Sequence, residues 1–141
     1  MKSFKIMLSA SLVAIASVGA AQADKLTLYC SAQEDWCQLM ANNFQDATGI
    51  KVAMTRKSSG ETFAQIKAES SNPKGDVWWG GTGDPHLQAA EEGLTASYVS
   101  PMRDQLHPWA ISQAESADNK TIGIYSGALG YGYNTDLLAA N

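Results

Sequence analysis

Three stretches of this chain share one pattern: YCSAQE at residues 29–34, MTRKSSGE at 54–61 and WWGGTGDP at 78–85. Each passes from a short apolar segment into a cluster of Ser, Gly or Thr, and a helix-like segment follows. In a parallel sheet the carboxyl ends of all strands lie on one edge. The pattern therefore predicts that the three turns converge on a single site.

The chemistry of these turns favours a particular kind of ligand. A helix N-terminus carries unpaired N–H groups and about half a positive charge. Small hydroxyl residues add donors there without blocking access, so such a turn readily accepts an anionic oxygen. Our hypothesis is a site for a small anionic or heavily hydroxylated solute.

Strands and helices are expected to alternate as far as residue 93. Apolar alternation indicates strands at 26–30, 50–55 and 76–79, with a helix after each turn. Thr48 with Gly49, and Gly93, are typical of helix ends. Three strand–helix units predict an open α/β sheet.

Capping residues set the expected helix starts. Ser31 with Glu34, and Ser58 with Glu61, both have the spacing of a capping box. Asp84 stands before a Pro, which predicts an Asp N-cap with Pro at the first helical position.

After residue 93 the pattern is less regular. Residues 97–106 are loop-like, and a short amphipathic helix is predicted from about 107 or 108 to 117. Two further strands are predicted at 121–126 and 129–134. Asn134 or Thr135 then has the character of an N-cap for a helix that is just beginning.

Both ends of the chain carry expectations of their own. Lys2 and Lys5 precede an apolar run, and Ala21-Gln22-Ala23 fits a cleavage site, which predicts a signal peptide at 1–23, cleavage after Ala23 and a periplasmic product. A membrane anchor is the alternative, but the run is shorter than the ~20 residues that a span needs.

The helix that begins at the C-terminal end predicts a fragment of a longer protein. The alternative is a frayed tail on a complete domain.

The charge balance argues against nucleic acid as a partner. Without Lys2 and Lys5, the 10 Lys and Arg residues fall to 8 against 14 Asp and Glu, a net charge of −6. A basic footprint for nucleic acid is missing. An anionic ligand is still compatible, because local donors decide binding and Arg56 and Lys57 lie beside one turn.

The chain has two cysteines, Cys30 at the end of the first strand and Cys37 in the following helix. In an oxidising compartment they can form a local disulfide. Two free buried thiols are the alternative, and a metal site is a weaker one, because one Cys pair without a nearby His does not make a zinc site.

Candidate ligand-binding residues come from the three turns and from the segment after residue 125. They are Ser31, Gln33, Ser58, Ser59, Gly60, Thr62, Trp79, Gly80, Gly81, Thr82, Asp84, Ser126, Gly127 and Ala128, with Glu34 on weaker grounds. Helix capping is the alternative for the hydroxyls, and a tight turn with both tryptophans in the core is the alternative for residues 78–83. Successive strand residues point to opposite faces, so at most one of the two tryptophans is expected in the cleft.

Catalysis has little support in the sequence. His86 and His107 stand at helix starts without a nucleophile nearby, and no common hydrolase motif is present. We expect no catalytic residue, no metal and no cofactor. A periplasmic hydrolase that uses one of these histidines is kept as an alternative of another class.

Several segments together resemble the bacterial extracellular solute-binding proteins of ABC transporters, in the subgroup often labelled ferric-iron-binding. They are LTLY at 26–29, ATGIKV at 47–52, QIKAE at 65–69, GDVWW at 75–79 and GALGYGYNT at 127–135. The resemblance implies a type II periplasmic binding protein fold, an α/β fold of two lobes with the ligand between them. It implies a first lobe at 24–125, and a hinge strand and the start of the second lobe at 126–141. The implied partners are a small anionic solute and a membrane permease, with the receptor itself a monomer.

The resemblance also bears on the ligand. Ferric-iron-binding members are similar in using a His after the first strand, a Glu after the third and tyrosines in the second lobe. The matching positions here are Gln33 and Gly80 or Gly81, which lack the ligands that ferric iron favours. The chain is thus more similar to relatives that bind phosphorylated sugars or organophosphonates, with ferric iron as the alternative.

Overall fold

The computed structural model describes residues 25–139 of the chain. The predicted signal peptide, its cleavage site and the anchor alternative lie outside the described residues. Between residues 25 and 139, none of the helices combines the length and the apolar character needed to cross a membrane.

Strands and helices alternate along the first part of the chain, as the sequence predicts. The elements are β1 Lys25–Cys30, α1 Glu34–Thr48, β2 Lys51–Arg56, α2 Ser59–Ala68, β3 Val77–Trp79, α3 Gly83–Glu91, a 3-10 turn Arg103–Gln105, α4 Pro108–Ser116 and α5 Thr135–Ala139. The three strands form one parallel sheet in the order β2-β1-β3. The predicted α/β class is confirmed.

The central strand β1 carries the core. Leu28 and Cys30 on β1 are buried with Cys37 and Ala41 of α1. Partly buried apolar residues surround this cluster: Leu26, Val52, Met54 and Trp79. β1 is paired on both sides, so it is the central strand of the sheet, and its carboxyl end lies inside this cluster.

One of the two predicted capping boxes is present. Ser58 Oγ accepts from the Glu61 N–H at 3.4 Å, and Glu61 Oε2 accepts from the Ser58 N–H at 3.0 Å. The box predicted for Ser31 and Glu34 is wrong, because α1 begins at Glu34 and its N-cap is Gln33, which makes no side-chain bond. The Ser31 hydroxyl is bonded to Thr62 of α2 and Trp78 of β3 instead.

The start predicted for α3 is displaced. Thr82 is the N-cap, so Asp84 and its Pro occupy the second and third helical positions. Pro causes no conflict at the third position, since the first N–H groups of a helix have no partner inside it.

The strands predicted at 121–126 and 129–134 are wrong. Residues 121–134 carry neither helix nor strand, and in the described part of the chain the sheet ends at β3. Without a neighbouring strand the backbone groups have no ladder to join. The hinge strand is therefore absent from the described residues, and the division into lobes at residue 126 stays a prediction.

The helix expected near residue 134 does form. Asn134 Oδ1 accepts from the N–H groups of Asp136 at 2.9 Å and Leu137 at 3.1 Å. Asn134, one of the two predicted caps, thus serves α5.

The two cysteines form a disulfide, which confirms that prediction and excludes the free-thiol and metal alternatives. Cys30 and Cys37 are fully buried, their sulfurs are 2.02 Å apart and their Cα atoms are 6.0 Å apart. The bond ties the carboxyl end of β1 to the fourth residue of α1.

Replacing both cysteines with alanine is expected to lower the free energy of unfolding by about 2–3 kcal/mol, since the unfolded chain loses a short covalent loop. Urea unfolding measures the change. Reductant should lower the stability of the wild type towards that of the variant and leave the variant unchanged. A wild type that is insensitive to reductant would contradict the expectation.

Candidate functional site

The three turns meet at the carboxyl edge of the sheet. Ser31 Oγ lies 3.1 Å from Thr62 Oγ1, which joins the first turn to α2. The Thr82 N–H donates to Ser59 Oγ at 3.0 Å, which joins the second turn to the third. A Cβ atom on Gly81 would lie against Ser59 Oγ and 2.8 Å from the Cβ of Ser31. The three turns thus lie together as the sequence predicts, and their role as a ligand site stays a prediction.

Two glycines make this close approach possible. Gly80 and Gly81 have φ of 78° and 97°, in the left-handed region that favours glycine. A Cβ atom on Gly80 would lie 2.8 Å from the Cβ of Ala32. The glycines therefore allow the first and third turns to touch each other, a contact that the sequence pattern does not reveal.

The protein itself occupies several donors of these turns. The Ser31 N–H donates to the Trp79 carbonyl at 2.9 Å. The Gly81 N–H donates to the Tyr125 hydroxyl at 2.6 Å. The N–H groups of Ser59 and Gly60, at the start of the ten-residue helix α2, have no acceptor within residues 25–139. The donors open to a ligand are thus concentrated on the second turn.

Cationic side chains lie beside that turn. Arg56 Nε donates to the Ala32 carbonyl at 3.0 Å, and Lys57 Nζ donates to Gln65 Oε1 at 2.6 Å. The pKa of Glu61 is lowered by its hydrogen bonds with Ser58, and the charges of Lys57 and Arg56 add to the effect. The local charge is positive although the chain as a whole is acidic.

Both tryptophans of β3 pack against other side chains of the protein. The Trp78 indole N–H donates to Ser31 Oγ at 2.9 Å, and its ring stacks on His86 with the centroids 3.6 Å apart. Trp79 packs against the core cluster under α1 and lies 6.4 Å from the Tyr125 ring. A ligand contact by Trp79 stays a prediction.

His86 supports the third turn. Its Nε2 lies 2.9 Å from the Gly80 carbonyl, and since a carbonyl only accepts, Nε2 carries the proton. Burial lowers the pKa of His86 below its ordinary value, while the bond to Gly80 opposes the shift. Sequence analysis did not assign His86 to this site, because its hydrogen-bond partner Gly80 lies on the other side of the turn that precedes α3.

A cavity of about 990 Å³ runs along the open side of β3. Trp79, Gly80 and Gly81 line it, together with His86 and Tyr125. Tyr125 is the second residue of this site that sequence analysis did not indicate. Its position directly before the predicted hinge residues is the sequence feature that could have pointed to it.

The remaining candidates lie at the rim or outside the site. Gln33, Glu34 and Asp84 are exposed, and Glu34 Oε1 accepts from Gln38 at 3.1 Å. Ser126, Gly127 and Ala128 are exposed and do not line the cavity. No cluster of three or more metal-binding side chains occurs between residues 25 and 139.

Residues 26–119 match the model of a family described as bacterial extracellular solute-binding protein. The match covers more than half of the chain. This chain belongs to that family. The resemblance stated from the sequence is confirmed, and the fold is that of the type II periplasmic binding proteins.

One protein sequence and two solved structures illustrate what this chain is similar to. An uncharacterized protein of Haemophilus influenzae is 40% identical over 144 residues, covering 99% of this chain and 42% of the relative. The periplasmic binding protein AfuA of Actinobacillus pleuropneumoniae, solved with exogenous fructose-6-phosphate bound, is 46% identical with a TM-score of 0.58, covering 60% of this chain and 26% of AfuA. Iron-bound HitA of Pseudomonas aeruginosa is 30% identical with a TM-score of 0.56, covering 61% of this chain and 28% of HitA.

These solute-binding proteins are longer than this chain. It spans less than half of the Haemophilus relative and less than a third of either solved structure.

The partly buried position of His86 predicts a pH dependence of stability. Its pKa is lower in the folded than in the unfolded protein, so acidification protonates the unfolded chain first. The free energy of unfolding should therefore fall as the pH drops below the ordinary histidine pKa of 6.5 towards the folded value.

Urea unfolding at about pH 7.5 and about pH 5.5, on either side of the ordinary histidine range, measures this loss. His86→Gln should remove most of it, whereas His107→Gln, which changes an exposed histidine, should retain it. Equal losses in His86→Gln and the wild type would show that His86 is not the group responsible.

Proposed function

We propose that this chain is the ligand-binding part of an exported receptor that captures a small phosphorylated sugar or organophosphonate for an ABC importer. The observation that carries the proposal is the convergence of three strand-to-helix turns at one sheet edge, with open N–H donors on one of them. Membership of the solute-binding family supports a periplasmic location and delivery to a membrane permease.

The second turn would hold the anionic group. The N–H groups of Ser59 and Gly60 stand at the positive end of α2, and phosphate oxygens are favoured there. Arg56 adds a nearby positive charge. The Ser58 hydroxyl lies at the same helix start, although Glu61 currently accepts from it at 2.7 Å.

The other turns would shape the rest of the site. Thr62 is almost fully buried, and its hydroxyl fixes Ser31. Gly80, Gly81 and Thr82 provide backbone close to the anion, and the polar side chains of Gln33, Asp84 and Glu34 would meet hydroxyl groups of the solute. Trp79 offers an apolar ring for the face of a sugar.

The two-lobe architecture belongs to this proposal. Residues 24–125 would form the first lobe, and Ser126, Gly127 and Ala128 would line the passage to a second lobe that begins within 126–141. Closure of two lobes over the solute is a hinge motion. The receptor would act as a monomer and carry no catalytic group.

The relatives support a phosphate ester over other solutes. AfuA, with fructose-6-phosphate bound, is 46% identical, and iron-bound HitA is 30% identical. Ferric iron is the second candidate. It is less well supported, because Gln33 and Gly80 or Gly81 stand where a hard ferric ion would favour imidazole and carboxylate.

Calorimetry on the full chain tests the choice of ligand. Fructose 6-phosphate and a short organophosphonate should bind, whereas fructose without its phosphate should not. Tight binding of ferric citrate with a coloured charge-transfer band, and none of the phosphates, would overturn the proposal. Turnover of a phosphate ester that His86→Ala or His107→Ala abolishes would favour the hydrolase alternative.

Gly81→Ala is expected to weaken binding of fructose 6-phosphate at least about tenfold, or ~1.4 kcal/mol. The added methyl group would press on Ser59 and Ser31 and strain a left-handed residue. Gly130→Ala is the matched control, because a Cβ atom there meets nothing within 4 Å.

Thermal unfolding shows whether Gly81→Ala remains folded. If it does not, Ser59→Ala supplies the same test, since it removes only the hydroxyl that joins the second and third turns. Unchanged affinity in the folded variants would place the ligand elsewhere.

A further inference from the structure

One side chain from outside the three turns occupies their meeting point. The Tyr125 hydroxyl accepts from the Gly81 N–H at 2.6 Å and lies 3.2 Å from the Gly81 carbonyl, to which it donates. Gly81 is the residue whose missing side chain lets Ser31 and Ser59 approach. The hydroxyl therefore binds both backbone groups of the residue around which the site is arranged.

This tyrosine is poorly anchored apart from its hydroxyl. Its side chain is 38% exposed, and it belongs to residues 121–134, which carry no helix or strand. The ring meets Trp36 edge-on with centroids 5.7 Å apart and is tilted against Trp79 at 6.4 Å. Both partners are themselves partly exposed, so the ring packs at the surface and not in the core.

The bond at Gly81 has the geometry of a ligand contact. Gly81 lies one residue before Thr82, the N-cap of α3, and backbone N–H groups in a turn beside a helix start are donors of the type that binds phosphate oxygens. The Tyr125 hydroxyl supplies an oxygen of the right kind at 2.6 Å from that nitrogen. It comes from a segment 44 residues away in the chain rather than from the turn itself.

We propose that Tyr125 is a latch on the anion site, whose hydroxyl holds the Gly81 N–H until an oxygen of a bound phosphate ester takes its place. This inference rests on the proposed function. The exchange replaces one hydrogen bond by another and involves no covalent change.

The latch links ligand binding to the chain that leaves the sheet. Tyr125 is followed directly by Ser126 and the exposed residues up to 134. While the hydroxyl is bound, residue 125 is held at the third turn; once a ligand displaces it, that restraint is lost. A ligand shifts such an equilibrium only by its differential affinity for the two states.

The latch also lowers affinity. Only the fraction of molecules with a free Gly81 N–H can bind a solute there, and the apparent dissociation constant rises accordingly. Removing the hydroxyl should therefore strengthen binding, which is the opposite of what loss of a ligand contact would do.

Tyr125→Phe on the full chain tests the latch, since it keeps the ring contacts and deletes only the hydroxyl. Calorimetry should show fructose 6-phosphate binding about twofold to tenfold tighter, the range set by one neutral hydrogen bond. Tyr131→Phe is the control: that side chain is 90% exposed and its ring meets only Tyr133 among the described residues. Its affinity should equal that of the wild type.

Amide hydrogen exchange at Gly81 gives a second readout without ligand. The Gly81 N–H should exchange faster in Tyr125→Phe than in the wild type, and fructose 6-phosphate should slow its exchange in both.

Each result decides between distinct possibilities. Weaker binding by Tyr125→Phe would make the hydroxyl a ligand contact and overturn the latch, and unchanged affinity would also overturn it. In both cases the proposed function stands, because the wild type binds. If the wild type binds no phosphate ester, the proposed function fails and the latch fails with it.

Discussion

The parallel pairing of β1 with both of its neighbours is the constraint on which the rest of this structure depends. Cys30, the last residue of β1, lies opposite Arg56 at the end of β2 and opposite Trp79 at the end of β3. The three strands thus end level with one another, and the turns that follow start from the same edge. A shift in the register of one strand would separate the side chains of Ser31 and Ser59 from Gly81.

Such an edge concentrates backbone donors, and a folded protein must find partners for them. Some of these donors bond to acceptors in the neighbouring turns and strand ends: Ser59 Oγ accepts from the Thr82 N–H, and the Trp79 carbonyl accepts from the Ser31 N–H. A side chain from a distant segment, Tyr125, accepts from Gly81. The N–H groups of Ser59 and Gly60 have no acceptor within residues 25–139, and these are the donors to which we assign the anionic group in our proposal.

The whole chain carries a net charge of −4, yet we propose an anionic solute at this edge. Net charge acts over long distances and is screened by salt within about 10 Å. Hydrogen-bond donors and a helix end act at contact distance, and Arg56 and Lys57 lie within the same turn. Our proposal of an anionic solute therefore rests on these local donors and not on the net charge.

The sequence by itself determined the features that depend on neighbouring residues. Period-two apolar residues give the strands, Ser58 and Glu61 give one capping box, and Cys30 and Cys37 are close enough in the chain to form their bond. The common edge also followed, because the carboxyl ends of parallel strands lie together. Only the tertiary structure decided that Ser31 bonds to Trp78 and Thr62 instead of capping α1, and that residues 121–134 form no strand. It alone brought Tyr125 and His86 to the third turn. A side chain or segment that has several possible partners takes the one that packing brings near, and for Ser31 and Tyr125 that partner lies 31 to 47 residues away.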